Sequence, residues 1–566
     1  MVLQELKLID PSMGSGHILV YAFDLFIQLY VAEGFRERDA VEFILTKNLY
    51  GLDIDKRAFQ LTYFALMMKG RQYSRRILSR NISLNIYAVP GNLNIDEADF
   101  QLLPITFPDR KKAEKDLLTL ADSFKYGADL GSLIQFDGID FKNLKKGLNS
   151  ETLSLYDPII KDMVYVGELL QQQYNVAITN PPYMGSKGMN ATLKKFVSKH
   201  YADSKNDLCN VFIERISQMV DGTTGYYSLI TQHSWMFLSS FEKLRFKMNS
   251  QNIINMLHLG TNAFEEINGE VVQTTAFVVS PTNYEKYTCN YLRLVDFNNP
   301  ALKETQTVEA IKNPCVDYLY HTSQDNFAKI PGSPISYWVS ENLIHDFVVG
   351  KRMDELVTPK VGLQTGDNEQ FLREWWEVDL NNIKFDATST VEAVASGKKW
   401  FPYNKGGSFR RWYGNYDYVV NWKNDGYEIK HFVDDKGKLR SRPQNTDYYF
   451  KEAITWSDVT SGNFSMRYRE SGSIFDSTGH SAFSNSFEDK LYLLGLLNTP
   501  VGNYIFKILN PTIHMHIGYV SLFPTLLDNI TMDNIINKTE ECIAISKHDW
   551  LCQETGWINA KKHPLI

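Results

Sequence analysis

The chain has 566 residues, of which 43% are hydrophobic and 22% are charged, a composition typical of soluble globular proteins. This length exceeds what one compact core supports, so we expect two or three domains. The formal net charge of −7 excludes a strongly basic chain, although a local basic surface would suffice for phosphate contacts. No stretch approaches the roughly 20 apolar residues that span a bilayer.

The five cysteines are scattered along the chain without a CxxC pair, which argues against a zinc site and against a disulfide framework. Such usage is typical of a reducing compartment. The first eight residues also lack the basic segment and long apolar core of a signal peptide. We therefore expect a cytoplasmic protein that contacts no membrane and holds no metal.

The first 300 residues alternate short apolar runs with longer helical patterns, as in a parallel sheet with crossover helices. Residues 6–9 are predicted to form a first strand, followed by a glycine turn and a helix to about Val31. Residues 48–53 are predicted as the second strand, and 57–69 as the next helix. A polar insertion with helices follows at about 100–165, and further strands are predicted at 174–179, 225–230 and 273–279.

After about residue 330 the chain becomes rich in Trp, Tyr, Gly and Asn, with short strand-like runs broken by turns. This change predicts a boundary between two domains. Residues 1–330 are expected to form an α/β, Rossmann-like domain with a mixed, mostly parallel sheet. Residues 331–566 are expected to form a separate, mixed α+β domain.

A glycine turn, residues 10–16, follows the first predicted strand. Gly14 and Gly16 allow the backbone to approach a ligand closely. Asp53, at the end of the second strand, can accept hydrogen bonds from both ribose hydroxyls of a nucleoside. Leu19 stands where GxGxxG has its third glycine, and the lysine of a P-loop is missing. These features favour a nucleoside cofactor without phosphates, such as S-adenosylmethionine, over a dinucleotide.

Asn180-Pro-Pro-Tyr183 directly follows the predicted strand 174–179, at the edge where open α/β sheets bind ligands. This segment can present two hydrogen-bond acceptors and one aromatic face to a planar amine. Acceptors on both N–H bonds favour a pyramidal nitrogen and direct its lone pair toward an electrophile, without a strong base. Asn-Pro is also an ordinary turn former, but at this position the segment indicates methyl transfer to a planar amine.

Three segments, 10–16, 51–53 and 180–183, resemble in this order motifs I, II and IV of gamma-class amino-group DNA methyltransferases. Residues 362–368 and 400–407 are similar to the PglX family, the adenine-specific methyltransferases of type 1 BREX phage-exclusion systems. This resemblance implies transfer of a methyl group from S-adenosylmethionine to N6 of adenine in double-stranded DNA. It also implies a target-recognition region in the second domain and other BREX defence proteins as partners.

The resemblance implies roles for single residues. Asn180 and the Pro181 carbonyl would accept from the adenine amino group, Pro182 would stiffen the loop, and Tyr183 would stack on a base flipped out of the duplex. The helix at 207–214 resembles motif V, which backs the cofactor pocket. The implied cofactor-binding residues are Asp10, Met13, Gly14, Gly16, Asp53 and Asn92, the last standing where relatives usually carry an acidic residue.

Residues 398–412 are the best local candidate for DNA contact, because they carry five cations and no acids, interleaved with aromatics. Basic side chains can reach phosphates, while Asn and Arg can read base edges. An ordinary solvated charged surface is about as good an interpretation of this pattern. The candidate DNA-binding residues are Lys398, Lys399, Lys405, Arg410 and Arg411.

Relatives carry a long segment, including motif X, before motif I, and they continue past residues 557–565. The chain is therefore expected to be the middle of a longer protein. A catalytically weak or inactive DNA-recognition subunit of a defence complex stays open as an alternative function. Glutamine-amide methylation of release factors is disfavoured, because those enzymes are shorter and lack such a second domain. His233, in a segment that resembles motif VI, is interpreted as a structural residue.

Overall fold

A computed structural model describes residues 2–91, 107–148, 157–264, 272–460, 462–510, 513–553 and 556. The chain divides into two compact units, Met1–Ala328 and Lys329–Ile566. Within the described ranges, no helix combines the length and the apolar character that crossing a membrane requires.

The first unit is built on a mixed sheet. Its strands are β1 Leu8–Asp10, β2 Leu49–Asp53, β3 Asn85–Ala88, β4 Val176–Thr179, β5 Tyr226–Gln232, β6 Asn252–Gly260, β7 Thr274–Ser280, β8 Thr288–Arg293 and β9 Leu319–Ser323. They lie in the order β3-β2-β1-β4-β5-β7-β6-β8-β9. The run from β3 to β5 is parallel, and β7 is antiparallel to both of its neighbours. The predicted mixed, mostly parallel sheet is therefore confirmed.

Helices cover this sheet, so its central strands are buried on both faces. In β2, four consecutive residues from Leu49 to Leu52 are buried, as expected for a parallel strand between two helical layers. The apolar side of the helix His17–Ala32 packs into the same core cluster as Leu49. The helices of this unit are His17–Ala32, Glu37–Phe43, Lys56–Tyr73, Arg110–Phe124, Gly127–Leu130, Phe141–Leu148, Asp157–Gln171, Ala191–His200, Leu208–Ser217, Glu242–Asn249, Pro300–Lys312 and Asp325–Ala328.

The second unit is a mixed α+β structure, as predicted. Its strands are β10 Lys351–Arg352, β11 Thr358–Lys360, β12 Leu372–Glu374, β13 Trp400–Asn404, β14 Tyr418–Asn421, β15 Ala453–Ser457, β16 Met466–Arg469, β17 Ile474–Phe475, β18 Gly479–Phe483 and β19 Pro524–Thr525. They form two four-stranded sheets, β11-β18-β15-β16 and β12-β14-β13-β17, and the pair β10-β19. Its helices are Glu341–Val349, Met353–Leu356, Asn368–Phe371, Thr390–Ala395, Lys423–Lys430, Phe487–Leu497, Pro500–Leu509, Ile517–Ser521 and Met532–Cys552.

Candidate active site

Asp10 ends β1 and is almost completely buried. One of its carboxylate oxygens, Oδ1, accepts from the Thr179 hydroxyl at 2.7 Å and from the Ser12 backbone N–H at 3.1 Å. The other oxygen, Oδ2, is buried and has no hydrogen-bond partner in the part of the chain that the structure describes. Burial raises the pKa of Asp10 from 3.8 to about 7, the two hydrogen bonds lower it, and the charge of Asp53 raises it further. A buried acceptor without a partner is costly unless a ligand satisfies it.

The glycine turn after Asp10 is closed by contacts with neighbouring segments. Gly14 and Gly16 adopt left-handed φ angles of 53° and 84°. A Cβ on Gly16 would lie 2.7 Å from two atoms of the Thr62 side chain. The Thr62 hydroxyl in turn donates to the Gly14 carbonyl at 2.9 Å. The turn thus depends on glycine for both its backbone angles and its packing, and it leads directly into the helix His17–Ala32.

Asp53 ties the end of β2 to this turn. Its Oδ2 accepts from the Gly14 N–H at 2.9 Å, and its Oδ1 accepts from the Asp55 N–H at 2.8 Å. The half-buried side chain lines a cavity of about 70 Å³, together with Ser12 of the turn. Each carboxylate oxygen has a second lone pair, so Asp53 can still accept hydrogen bonds from a ligand in this cavity.

Apolar side chains form much of the cavity wall. Ile54, next to Asp53, leaves 57% of its surface exposed and lines the cavity. Leu208 and Phe212 come from the helix Leu208–Ser217, in agreement with the pocket-backing position implied for the segment 207–214. The wall also contains residues that the sequence did not reveal, namely Asp129, Leu130, Gly131, Ser132 and Leu133 of the helical insertion.

The segment from Asn180 to Tyr183 follows β4 and reaches the same cavity through Pro182, which is one of its lining residues. Asn180 is exposed, and its side chain makes no hydrogen bond among the described residues. Tyr183 is half-buried, and its hydroxyl donates to the Ile230 carbonyl of β5 at 3.3 Å. Burial raises the pKa of the Tyr183 hydroxyl, so this side chain stays neutral. The structure thus brings together Asp10, Asp53 and the loop 180–183.

Of the predicted cofactor-binding residues, Met13 supports the glycine turn from within the core. Met13 is buried in the core cluster that includes Leu49, and a Cβ on Gly51 would lie 2.6 Å from its sulfur. The Met13 N–H donates to the Leu52 carbonyl at 3.0 Å, so this residue anchors the turn on β2. Asn92 lies outside the described residues.

His233 lies after β5 and pairs with a second histidine. Its Nδ1 is 2.9 Å from Nε2 of His258, a buried residue of β6. Burial lowers the pKa of His233 to about 4, and it also lowers the pKa of His258 well below the usual value. Both imidazoles are therefore neutral near pH 7. This hydrogen-bonded neutral pair agrees with the structural interpretation of His233.

The basic segment 398–412 includes β13 and the loop after it, in the second unit. The three lysines of this segment make different contacts. The Lys398 ammonium donates to the Asn381 carbonyl, and the Lys405 ammonium lies 4.6 Å from the centre of the Tyr418 ring. Lys399 is exposed, with its ammonium 5.2 Å from the Trp400 ring.

The two arginines of this segment also have different neighbours. The Arg410 guanidinium lies 4.7 Å from the Trp550 ring and 3.9 Å from the Asp549 carboxylate, both on the helix Met532–Cys552. Arg411 instead lies 5.5 Å from the ring of Phe409, which is 58% exposed. Both arginines are half-buried, but Arg410 packs on the helix Met532–Cys552, whereas Arg411 lies beside the exposed Phe409 ring.

Comparison with known proteins gives a family match over part of the first unit. Residues 47–264 match the Eco57I restriction-modification methylase family. The matched range contains Asp53 and the loop 180–183.

Two curated relatives align with 98% of the chain. One is named adenine-specific methyltransferase PglX, comes from Lacticaseibacillus casei (strain Zhang), and is 43% identical over 568 residues. The other is named adenine-specific methyltransferase BrxX, comes from Escherichia coli O9:H4 (strain HS), and is 37% identical over 589 residues. The predicted resemblance to the PglX family is confirmed. The chain spans 46% of the length of each of these relatives.

Solved structures share the fold of the chain. The Type IIL restriction-modification enzyme MmeI, solved in complex with DNA, has a TM-score of 0.52 at 11% identity, over 95% of this chain and 65% of that chain. A nuclease-deletion mutant of the Type ISP restriction-modification enzyme LlaGI, solved with a DNA substrate mimic, has a TM-score of 0.51 at 11% identity. That match covers 96% of this chain and 44% of the LlaGI chain.

Proposed function

We propose that this chain is part of a site-specific DNA methyltransferase that transfers a methyl group from S-adenosylmethionine to N6 of adenine. We further propose that it acts in the cytoplasm in phage defence, on double-stranded DNA and together with other BREX proteins. The observation that carries the proposal is the shared cavity. Pro182 of the Asn-Pro-Pro-Tyr loop and the Asp53 carboxylate line the same space, so a substrate amine at the loop would lie next to a bound nucleoside.

The residues around the cavity fit S-adenosylmethionine. Asp10 precedes Pro11 and Ser12 of the cavity wall, and its buried Oδ2, which has no hydrogen-bond partner among the described residues, is an acceptor of the kind that a positively charged ligand would satisfy. Asp53 would hold the ribose hydroxyls, and Ile54 offers an apolar surface to a purine ring. When bound, S-adenosylmethionine supplies a methyl group activated by its positively charged sulfur.

The loop would bind and orient the adenine. The free Asn180 amide oxygen and the Pro181 carbonyl would accept the two hydrogens of the amino group, which directs the nitrogen lone pair away from the ring plane. The Tyr183 ring would stack on the flipped base, at the position that its hydrogen bond to the Ile230 carbonyl maintains. The consecutive prolines restrict the loop, so little ordering is needed when the base arrives.

Paired variants test this division of roles. Asn180→Ala should bind S-adenosylmethionine as the wild type does but lose about 100- to 1,000-fold in methyl transfer, the range seen when one preorganised hydrogen-bonding group is removed. Asp53→Ala should instead lose cofactor affinity. Calorimetry with S-adenosylmethionine and mass spectrometry of N6-methyladenine in the product DNA measure the two effects separately.

Tyr183→Phe is the matched control, because it keeps the stacking ring and removes only the hydroxyl that β5 holds. This variant should retain methyl transfer to within a few-fold of the wild type. If the wild-type chain gives no heat with S-adenosylmethionine while it still binds DNA, the catalytic proposal is wrong. That result would favour the alternative, a DNA-recognition subunit without methyltransferase activity.

A further inference from the structure

A carboxylate and two imidazoles converge in the second unit, near the loop that follows β13. Asp458, His480 and His516, here called the Asp–His cluster, place one potential metal ligand each within 4.8 Å of one another. Asp458 Oδ1 lies 3.2 Å from His480 Nε2 and 2.8 Å from His516 Nδ1. Ligand atoms about 2.0–2.1 Å from a tetrahedral zinc ion lie roughly 3.3 Å apart, so the two distances from Asp458 Oδ1 are close to those of a zinc site.

Ordinary backbone contacts hold the three groups in place. His480 lies on β18, directly opposite Trp456 of β15, and Asp458 follows the end of β15 by one residue. The Met515 N–H donates to the Asp458 carbonyl, and the Trp456 indole donates to the Met515 carbonyl at 2.8 Å. The loop that carries His516 is therefore attached to the same sheet as the other two residues, and the cluster is preorganised.

Burial differs across the cluster in a way that suits metal binding. Asp458 and His480 are buried, whereas 60% of the His516 side chain is exposed. A buried carboxylate is costly unless it is paired or coordinates a cation. The exposed side of the cluster offers both a route of entry and space for a water ligand.

We propose that Asp458 Oδ1, His480 Nε2 and His516 Nδ1 bind one divalent transition-metal ion, Zn²⁺, with a remaining coordination position open to water. Nitrogen and oxygen ligands of this kind suit Zn²⁺, and a set of three protein ligands leaves its tetrahedral shell incomplete. The ion would fasten the loop 513–516 to β15 and β18. This inference is independent of the proposed methyl transfer, because none of its residues lies in the first unit.

His514 completes the arrangement as a positioning residue. Its Nδ1 is 3.1 Å from Asp458 Oδ2, the oxygen that the proposed ion does not use. Its ring stacks on that of His516, with 5.5 Å between the ring centres and 11° between the planes. Hydrogen bonds to a ligating carboxylate orient it, and their loss typically weakens metal binding by about 10- to 100-fold.

The test is a metal titration of the full chain after removal of bound metal by a chelator. A Cys552→Ser background removes a competing pair, since the Cys552 sulfur lies 3.6 Å from His548 Nε2. Calorimetry with Zn²⁺ should give one site per chain, and Co²⁺ should give the visible absorption of a low-symmetry, four- or five-coordinate ion. Zn²⁺ should also raise the Tm of the protein.

Variants distinguish this site from adventitious binding. His516→Ala should abolish the stoichiometric site, and His514→Ala should weaken it by about 10- to 100-fold. His345→Ala, at an exposed helical histidine, is the matched control and should leave it unchanged. Because the His516 side chain is largely exposed, its truncation should leave the core intact, which circular dichroism verifies. The proposal is overturned if Zn²⁺ does not bind stoichiometrically, or if binding survives in His516→Ala.

Discussion

Asp10 combines burial with an incomplete set of hydrogen bonds, which makes the stability of the protein depend on pH. Its pKa is raised to about 7 in the folded state, mainly by burial. Between about pH 4 and pH 7 the folded protein therefore holds a proton that the unfolded chain has released. The free energy of unfolding should fall as pH rises through this window, by about 4 kcal/mol for a shift of roughly 3 units.

Asp10→Asn cannot titrate, so its stability should decline less between about pH 5 and pH 8 than that of the wild type. Urea unfolding of both proteins at the two pH values measures the difference. Parallel pH profiles for the two proteins would show that the Asp10 carboxyl titrates as it does in an unfolded chain.

A comparison of Gly14 with Gly16 distinguishes the energetic cost of a left-handed backbone from the cost of a steric clash in the same turn. Both have left-handed φ angles, but only at Gly16 would a Cβ meet another group, the buried Thr62 side chain at 2.7 Å. Thr62 is fully buried, and its hydroxyl donates to the Gly14 carbonyl, so a shift of this side chain would be costly.

Alanine at either glycine should cost about 1–2 kcal/mol for the left-handed backbone. Gly16→Ala should lose about 1–3 kcal/mol more, the usual cost of overpacking. Urea unfolding at a fixed pH compares the two variants. Equal losses would mean that Thr62 yields to the added methyl group.

At the scale of elements, the strands with continuous apolar runs were predictable, and those without were not. β2 begins within one residue of its predicted start, because residues buried on both faces read as an unbroken apolar run. β5 also begins within one residue of its predicted start, although its buried residues alternate with more exposed ones. β6, Asn252–Gly260, was not predicted, since polar residues including His258 interrupt its apolar pattern. β3, β8 and β9 were missed as well, and they are strands of four to six residues with mixed composition.

The residues of the candidate site were likewise predictable only where a local sequence pattern marks them. The Asn-Pro-Pro-Tyr loop, Asp10 and Asp53 were recognisable because each lies at the end of a strand or directly after it and belongs to a short local pattern. Leu130 and Leu133 could not be found in this way, because they reach the cavity from the helical insertion through tertiary packing. The Asp–His cluster was invisible for a related reason. Its residues come from three separate segments, and a search for metal sites by cysteine spacing passes over it.

The loop after β13 carries the clearest prediction for DNA binding. Arg411→Glu should weaken binding and reduce the slope of log K against log salt concentration by about 1, as expected when one phosphate contact is lost. Arg410→Glu should mainly lower stability, because Arg410 packs on Trp550. A salt titration of DNA affinity measures the first effect, and urea unfolding measures the second.

Lys538→Glu is the control for the arginine variants, because Lys538 is an exposed cation of the second unit that pairs with Glu541 and lies outside the basic segment. Its salt dependence should equal that of the wild type. An unchanged slope in Arg411→Glu would remove this arginine from the proposed DNA interface.

At the scale of the whole molecule, the first unit holds the candidate active site and the second unit holds the aromatic, basic segment and the Asp–His cluster. The confirmed resemblance to PglX extends over both units, although the chain spans 46% of the length of these relatives. The proposed activity therefore assigns chemistry to the first unit and recognition of DNA to the second.

Long-read mapping of N6-methyladenine tests the central claim most directly. DNA from cells that produce the wild-type protein is compared with DNA from cells that produce Asn180→Ala, with the defence partners present in both. We predict methylated adenines in one sequence context in the wild-type cells and their loss in Asn180→Ala. Identical methylation patterns in the two strains would contradict the proposed role of the Asn-Pro-Pro-Tyr loop in methyl transfer.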